Sequence, residues 1–473
     1  MSTLERPMAI IVVALLTVFL SPSAPARAQG APEPIETAVT FTGADRTIEG
    51  TVIAPADAAS GLPGMVLVAG AGPGPDRDRY REHAEAFAEA GIVTLIYDKR
   101  GGEEGYSQFA ASLEDLAADA LAGLEALEDR PEVDPELVGL HGHSEGAWVV
   151  IEAAAASPAV DFVITSAGSA FTPDRTQQWM NAVQLHRLGV ADGLLEPLGS
   201  RMVAAVADAG LFRLAGHDPL PSLETIDRPF LGLFAEHDLH TPAGQSLEAY
   251  REALVRGGNG NHTLEVVPGV DHDMVPGEGG SVLGDYDENA IDAGYVEAVA
   301  SWVGGLASGA AGVSVDEPPA QDLRSAPPSR VPWYGTWTAL LAALAAFTGL
   351  FGAYPVAALV QRLRGREALT ATGTARLLAV IGLTLPAAVF LYLAMIVMSA
   401  GTSVFGPVIA GVPLPWLLFQ AAAVAAAVAA VTVGVQMRRR RTEMTTGSRL
   451  RLGALLAGVV LLLPWGAYWG LLL

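Results

Sequence analysis

The sequence contains no cysteine. That absence excludes disulfide staples, thiolate zinc sites, a cysteine nucleophile and a lipid-modified amino-terminal cysteine. Basic side chains are scarce: 28 Lys and Arg stand against 51 Asp and Glu, a formal net charge of −23 over 473 residues. A polyphosphate partner needs a basic footprint, so nucleic acid is excluded as a partner. Yet 51% of the residues are hydrophobic, which sits badly with so large a net charge. The averages therefore blend dissimilar segments, and the length has room for about three domains.

Three parts separate by composition. Residues 1–28 carry Arg6, an apolar run of 13 residues from Met8 to Leu20, and then Ser21-Pro-Ser-Ala-Pro-Ala-Arg-Ala28. A charged start, a short apolar stretch and Ala26-x-Ala28 predict a secretory signal peptide cleaved after Ala28. The run is shorter than the ~20 residues a membrane span needs. Residues 29–330 hold 16 basic against 48 acidic side chains, a net of −32, and Lys99 is their single lysine. No internal repeat is visible in this part.

Residues 331–473 are different again. Four apolar runs, at about 335–359, 377–399, 414–435 and 452–472, are each long enough to cross a bilayer as a helix. Pro386 inside the second would break a soluble helix but is tolerated in a membrane one. Arg362, Arg364, Arg366 and Arg376 lie between the first two runs. Arg438 to Arg441, Arg449 and Arg451 lie between the last two, and Leu377 to Met437 contains no charge. The positive-inside rule then puts both Arg-rich loops in the cytoplasm and residues 29–330 outside, the side the signal peptide predicts independently. The runs contain no ionisable residue, which disfavours a transporter or channel. They are expected to serve as an anchor, or as an assembly surface of small residues such as Ala421–Ala430.

Within residues 29–330, short apolar runs alternate with amphipathic helical stretches, the pattern of a parallel sheet covered by helices. Strands are expected at Met65–Ala69, Ile92–Tyr97, Leu137–His141, Asp161–Thr165, Phe230–Ala235 and Thr263–Val267. Helices are expected at Tyr80–Ala90, Leu113–Asp129, Ala147–Ala156 and Ala290–Val303, with Val52 in an earlier antiparallel hairpin. The strands are continuously apolar rather than alternating, which fits burial on both faces.

Gly142-His143-Ser144-Glu145-Gly146 falls between such a strand and such a helix. There G-x-S-x-G has a physical meaning: the serine sits on a tight, strained turn, and any Cβ at the flanking glycines would clash. Its hydroxyl stands over a helix N-terminus that favours negative charge. A serine nucleophile needs a base, and the base an orienting acid, both following it at the ends of later strands. Phe230-Leu-Gly-Leu-Phe-Ala-Glu-His-Asp238 offers Asp238 or Glu236, and Val266-Val-Pro-Gly-Val-Asp-His272 offers His272. His262, His240 and His237 are the rivals of His272. His237 and His240 also resemble a metal pair, but on a loop with no third ligand nearby; no metal site is expected. Asp285-x-Asp287-x-Asn289 has Ala290 where a calcium loop needs Gly, and is expected to cap a helix. Asp98-Lys99-Arg100 is expected to tie loops near the site by ion pairs.

These residues carry a resemblance. Residues of about 40–305 resemble the α/β-hydrolase superfamily, and within it the bacterial serine hydrolases related to the S33 serine aminopeptidases and dienelactone hydrolases. The carrying motifs are Gly70-Ala-Gly-Pro-Gly-Pro-Asp-Arg-Asp78, Tyr97-Asp-Lys-Arg-Gly101 with Gly105-Tyr-Ser107, Gly142-His-Ser-Glu-Gly146, Glu236-His-Asp238 and Pro268-Gly-Val-Asp-His272. The resemblance implies Ser144 as nucleophile, His272 as general base and Asp238 as the acid. It implies the backbone N–H groups of Ala71 and Glu145 as the oxyanion hole. The chain departs from the family in having Ala69-Gly70 where His-Gly is common, and in the acidic insertion Gly102-Glu-Glu104. The implied fold is α/β, a mostly parallel sheet with helices on both faces and a small helical cap at about 171–223. Trp179, Met180, Leu185 and Leu188 of that cap either line an acyl pocket or pack the cap onto the core.

The expected organisation is a signal peptide (1–28), a hydrolase domain (29–306), a Pro/Ala/Ser-rich linker (307–332) and a region of four transmembrane helices (333–473). The expected function is hydrolysis of a small-molecule acyl substrate, an ester, thioester or small amide, without metal or organic cofactor, by an integral membrane protein. The rival from another class is a catalytically silent binding or sensing domain coupled to the membrane part.

Overall fold

Strands buried on both faces read as nearly continuous apolar runs, and the short apolar runs of the sequence become strands. In the computed structural model the described residues are 33–58, 60–71, 77–100, 112–277, 291–309, 312–328, 330–364 and 373–472. The expected signal peptide, the Gly102-Glu-Glu104 insertion, Gly105-Tyr-Ser107 and the Asp285–Asn289 stretch lie outside them.

The strands are β1 (Ile35–Thr42), β2 (Thr47–Ala54), β3 (Leu62–Val68), β4 (Val93–Tyr97), β5 (Val133–His143), β6 (Val163–Ser166), β7 (Phe230–Ala235), β8 (His262–Val267) and β9 (Ser314–Val315). They form one sheet in the order β1-β2-β4-β3-β5-β6-β7-β8-β9. The β1–β2 and β2–β4 pairings are antiparallel and the rest parallel. Six of these strands fall on the predicted runs, and β1 with β2 is the hairpin expected around Val52.

Helices α1 (Arg81–Glu89), α2 (Leu113–Glu128) and α3 (Glu145–Ala156) follow strands in turn. The Ser112 hydroxyl caps α2 by accepting from the Asp115 amide at 3.1 Å. Between β6 and β7 lies the cap, made of α4 (Pro173–Arg187), α5 (Asp192–Leu195), a turn of π-helix at Glu196–Ser200, α6 (Arg201–Asp208) and α7 (Leu220–Leu223). Then come α8 (Ala243–Gly257) and α9 (Ala293–Ala307). Helices α1 and α9 cover one face of the sheet through Phe87, Tyr295 and Val299, and α2, α3 and α8 cover the other through Leu116, Val150 and Leu247.

The four apolar runs are the helices α10 (Trp337–Leu363), α11 (Gly373–Met398), α12 (Leu414–Arg439) and α13 (Thr446–Tyr468), each long and apolar enough to cross a membrane. Pro355, Pro386 and Pro464 lie inside three of them. One face of the Ala421–Ala430 stretch, Ala423, Ala426 and Ala429, is buried inside this bundle.

The cap rests on the bundle. Leu185, Leu194, Leu195, Leu198 and Met202 are buried in one cluster with Leu340, Tyr392 and Trp416. Ala191 donates its amide to the Gly411 carbonyl at 2.8 Å, beside the two-residue strands β10 (Val408–Ile409) and β11 (Val412–Pro413). The Trp337 amide, opening α10, donates to Asp208 at 2.8 Å. Of the four cap residues singled out from the sequence, Leu185 thus faces the bundle and Leu188 is exposed, while Trp179 and Met180 pack against Leu239.

Residues of the expected linker are held to the rest of the chain. Ser314–Val315 pairs with β8 as the edge strand β9. Beyond it, Leu323 accepts from the Trp179 indole at 2.9 Å, and Ser325 accepts from the Arg175 guanidinium at 2.9 Å through both its hydroxyl and its carbonyl.

Candidate active site

Strand β5 delivers Gly142 and His143 to the top of the sheet, and α3 departs from Glu145. Between them the Ser144 backbone has φ 53° and ψ −114°, a left-handed value that a non-glycine residue reaches only where its surroundings force it. The crowding is visible. A Cβ on Gly142 would run into the Gly146 carbonyl, and one on Gly146 into the Val68 carbonyl of β3. The turn is fixed further by the Ser144 amide, which donates to the Ser166 carbonyl of β6 at 2.9 Å. The serine side chain is left half-buried over the first turn of α3.

Two further chain segments converge on it. His272, on the turn after β8, has Nε2 2.8 Å from Ser144 Oγ. Its Nδ1 lies 2.9 and 3.1 Å from the two carboxylate oxygens of Asp238, on the loop after β7. Asp238 is 1% exposed, and its remaining acceptor capacity is filled by the His240 and Thr241 amides, both at 2.7 Å, and the Thr241 hydroxyl at 2.6 Å. Glu236, the alternative acid, points elsewhere and accepts from the Gly269 amide. Of the rival histidines, His262 bonds Asn259 and His240 packs edge-on against the His272 ring.

Electrostatics separate the imidazoles. Burial pushes His272 down, but the charge and hydrogen bond of Asp238, joined by Asp273 and Asp271, outweigh it and hold it above its ordinary value. Asp238 is pushed up by burial and pulled further down by the His272 charge and hydrogen bond, ending below the usual carboxylate range. His143 and His240 are held down at about 4 by burial and then by the His272 charge, so both are neutral near pH 7.

A neutral His143 completes a chain of hydrogen bonds that the sequence does not announce. The Gly70 amide donates to Tyr80 Oη at 2.8 Å, the Tyr80 hydroxyl donates to His143 Nδ1 at 2.8 Å, and His143 Nε2 donates to the His272 carbonyl at 2.9 Å. Burial keeps the Tyr80 phenol protonated and a donor. The variable residue of the elbow thus links the loop after β3 to the backbone of His272.

Lys99 acts on the same loop from the other side. Its ammonium, 8% exposed, donates to the Ala69 carbonyl at 2.8 Å, the Gly70 carbonyl at 2.9 Å and the Glu145 carboxylate at 2.6 Å. The neighbours in the expected Asp98-Lys99-Arg100 tie also form ion pairs, Asp98 with Arg77 and Arg100 with Asp119 and Asp45. Gln321 was not singled out by the sequence reading. Its amide donates to the Asp238 and Thr241 carbonyls at 3.0 and 3.1 Å and accepts from the Gly244 amide at 3.2 Å, clamping the acid loop.

A hydroxyl on an imidazole on a buried carboxylate can move a proton off oxygen as a bond forms to it. Among the described residues there is no group of three or more His, Asp or Glu side chains suited to hold a metal ion.

No curated protein matches the chain. Among solved structures, the esterase Pf2001 of Pyrococcus furiosus aligns at 16% identity over 57% of this chain and 91% of its own, with a TM-score of 0.40. An acylaminoacyl peptidase of Pyrococcus horikoshii aligns at 20% identity over 51% of this chain and 38% of its own, with a TM-score of 0.37. Est1E of Butyrivibrio proteoclasticus, with ferulic acid bound, aligns at 16% identity over 58% and 98%, with a TM-score of 0.40. Residues 63–220 match the family model described as serine aminopeptidase, S33, a range that includes Ala71, Lys99 and Ser144. The sheet order is that of the α/β-hydrolase fold, residues 63–220 are similar to the serine aminopeptidase S33 family, and four helices long and apolar enough to cross a membrane follow.

Proposed function

We propose that the protein is a serine hydrolase that cleaves an ester, thioester or small amide through an acyl-enzyme. The observation that carries the reading is the continuous line from Ser144 Oγ to His272 Nε2 at 2.8 Å and from His272 Nδ1 to Asp238 at 2.9 Å. Ser144 Oγ attacks the acyl carbonyl carbon while its proton passes to His272 Nε2. The tetrahedral oxyanion is received by the Ala71 and Glu145 amides, and its collapse expels the leaving group, which takes the proton from His272. Water then gives a proton to the same nitrogen as it attacks the acyl-enzyme, and the acid departs as Ser144 is reprotonated. Asp238 stabilises the imidazolium that forms twice in the cycle.

The hydrolase is proposed to face away from the cytoplasm. The cap meets the bundle at the start of α10, the end of α11, the start of α12 and the end of α13. The arginines Arg362, Arg364 and Arg438 to Arg441 lie at the other end. By the positive-inside rule that other end is cytoplasmic.

The test uses the full-length protein in detergent, with p-nitrophenyl butyrate and a fluorophosphonate label. Ser144→Ala should remove all labelling and lower turnover by at least ~10⁴-fold. Turnover should fall as pH is lowered through the His272 pKa, because only the neutral imidazole accepts the serine proton. With Asp238 holding that pKa above its ordinary value, the fall should begin on the alkaline side of pH 6.5. Labelling that survives in Ser144→Ala, or no turnover of any acyl ester or aminoacyl amide by the wild type, would sink the proposal, the second outcome leaving a silent binding domain.

A further inference from the structure

Outside the candidate active site, the cap, residues 323–328 and 330–332 and the ends of the apolar helices line an open cavity of about 650 Å³. That is the size range of small-molecule sites. Its walls carry Arg175, Arg201, Arg324 and Arg330, and Tyr334 and Tyr468 line it where it meets the helical bundle. The charge is out of keeping with the surroundings. Residues 29–330 have three acidic side chains for every basic one, whereas this cavity has four arginines and two acids, Asp192 and Glu196. Those acids have their own partners: Glu196 pairs with Arg201 at 3.3 Å and Asp192 with His186 at 3.3 Å. Among the described residues, Arg175, Arg324 and Arg330 have no carboxylate within 4.0 Å.

Arg175 is the most constrained of the three. It is half-buried, stacks on the Phe171 ring at 3.6 Å and is anchored by Ser325 through Nε and one terminal nitrogen. A guanidinium fixed in this way and partly stripped of water is costly to leave without an anion. Planar, weakly hydrated guanidinium groups are also the side chains best suited to bind phosphate oxygens.

The position of the cavity says where such an anion comes from. Tyr334 lies immediately before α10 and Tyr468 ends α13, and Trp333, Trp337, Trp465 and Trp469 stand at the same end of the bundle. Such a concentration of Trp and Tyr marks the headgroup level of a bilayer. An anion arriving through water must cross the field of a segment with net charge −32, whereas a lipid headgroup is already held at the rim.

We propose that this cavity binds the phosphate of an anionic phospholipid, drawn from the leaflet in which the cap-facing end of the bundle sits. The site is separate from Ser144 and does not depend on whether Ser144 hydrolyses anything.

The test is a titration of delipidated full-length protein in neutral detergent with dioctanoyl phosphatidylglycerol, followed by native mass spectrometry and tryptophan emission. Parallel arms use dioctanoyl phosphatidylcholine and glycerol 1-phosphate. The expected result is saturable binding of one phosphatidylglycerol per chain, weakened about tenfold, or 1.4 kcal/mol, in Arg175→Gln/Arg324→Gln. Arg438→Gln/Arg439→Gln, at the far end of the bundle, should leave it unchanged. Because Arg175 also ties Ser325, the exposed pair Arg324→Gln/Arg330→Gln supplies a variant free of that structural tie, and it should weaken binding in the same direction. Binding indifferent to both cavity variants, or weakened equally by Arg438→Gln/Arg439→Gln, overturns the site. Equal affinity for phosphatidylcholine overturns the anionic selectivity, and equal affinity for glycerol 1-phosphate overturns the assignment to lipid.

Discussion

Lys99 is the only lysine in the chain, and it is buried where three acceptors meet. Its arrangement has a direct electrostatic consequence. Glu145 follows the proposed nucleophile, and its amide is one proposed oxyanion donor, so its carboxylate would oppose the very charge that amide is meant to receive. Lys99 cancels that carboxylate and pins the Ala69 and Gly70 carbonyls, which sets the direction of the next amide, Ala71. Lys99→Met should therefore lower kcat on p-nitrophenyl butyrate by about 10²-fold, the scale of one lost oxyanion donor, with little change in KM. It should also cost about 3–5 kcal/mol of stability, because a buried carboxylate is stranded. Lys99→Met/Glu145→Gln should recover stability in thermal melts and part of kcat. A Lys99→Met enzyme with wild-type kcat would show that the pair only supports the fold. At this scale the sequence singles out Ser144 and His272 and leaves Asp238 beside Glu236, because each sits at a strand end inside a short motif, and the structure brings Ser144, His272 and Asp238 within hydrogen-bond reach. It discloses neither Gln321 nor the Tyr80–His143 link, whose partners lie 83 and 63 residues apart and meet only through tertiary structure.

Elements were legible where burial imposes a pattern and illegible where it does not. A strand covered on both faces is close to continuously apolar, so β3, β4 and β7 stand out of an acidic sequence, and the run Phe230–Ala235 is β7 to the residue. A two-residue edge strand imposes nothing: Ser314–Val315 lies in a Pro/Ala/Ser-rich stretch, and its place beside β8 follows from backbone pairing alone. The membrane helices are announced by length and apolarity, but which faces they pair is not. Phe351 of α10 fits between Gly382 of α11 and Gly458 of α13, and a Cβ at either glycine would strike its ring. Small residues opposite a large one let the backbones approach, the rule for helix packing where lipid offers no hydrophobic contrast. Hydropathy averages over all sides of a helix and hides this. The cap helices are obscured for a related reason. Met202 and Leu195 are apolar like core residues, and composition alone does not distinguish the core around the sheet from the helical bundle as their destination.

Across residues 33–472, the described parts of the stretch between the sheet and the bundle are tied to both. The stretch 307–332 contributes β9, clamps the acid loop through Gln321, binds Arg175 through Ser325 and ends at α10. One run of chain thus connects the proposed acid to the first membrane helix. The orientation proposed for this assembly is open to a direct check: alkaline phosphatase fused after residue 330 should be active in cells if residues 29–330 are exported, and an inactive fusion that is nonetheless produced would reverse the orientation. The cap bears on what can be cut away. Total burial of Leu194, Leu195, Leu198 and Met202, in the cluster they share with the bundle, is worth on the order of 10 kcal/mol at ordinary side-chain values, of which the bundle supplies a part. Even a part of that is large beside the ~5–15 kcal/mol that typically separates folded from unfolded. A fragment of residues 33–330 therefore exposes a contiguous apolar face that water does not tolerate. It should self-associate in size-exclusion chromatography with light scattering and bind a hydrophobic dye that the full-length protein in detergent does not. Leu195→Glu/Met202→Glu should return the fragment to a monomer with its sheet intact by circular dichroism. A wild-type fragment that stays monomeric and melts at the full-length temperature would mean that the cap's contact with the bundle contributes little, and that residues 33–330 are independent of the helical bundle.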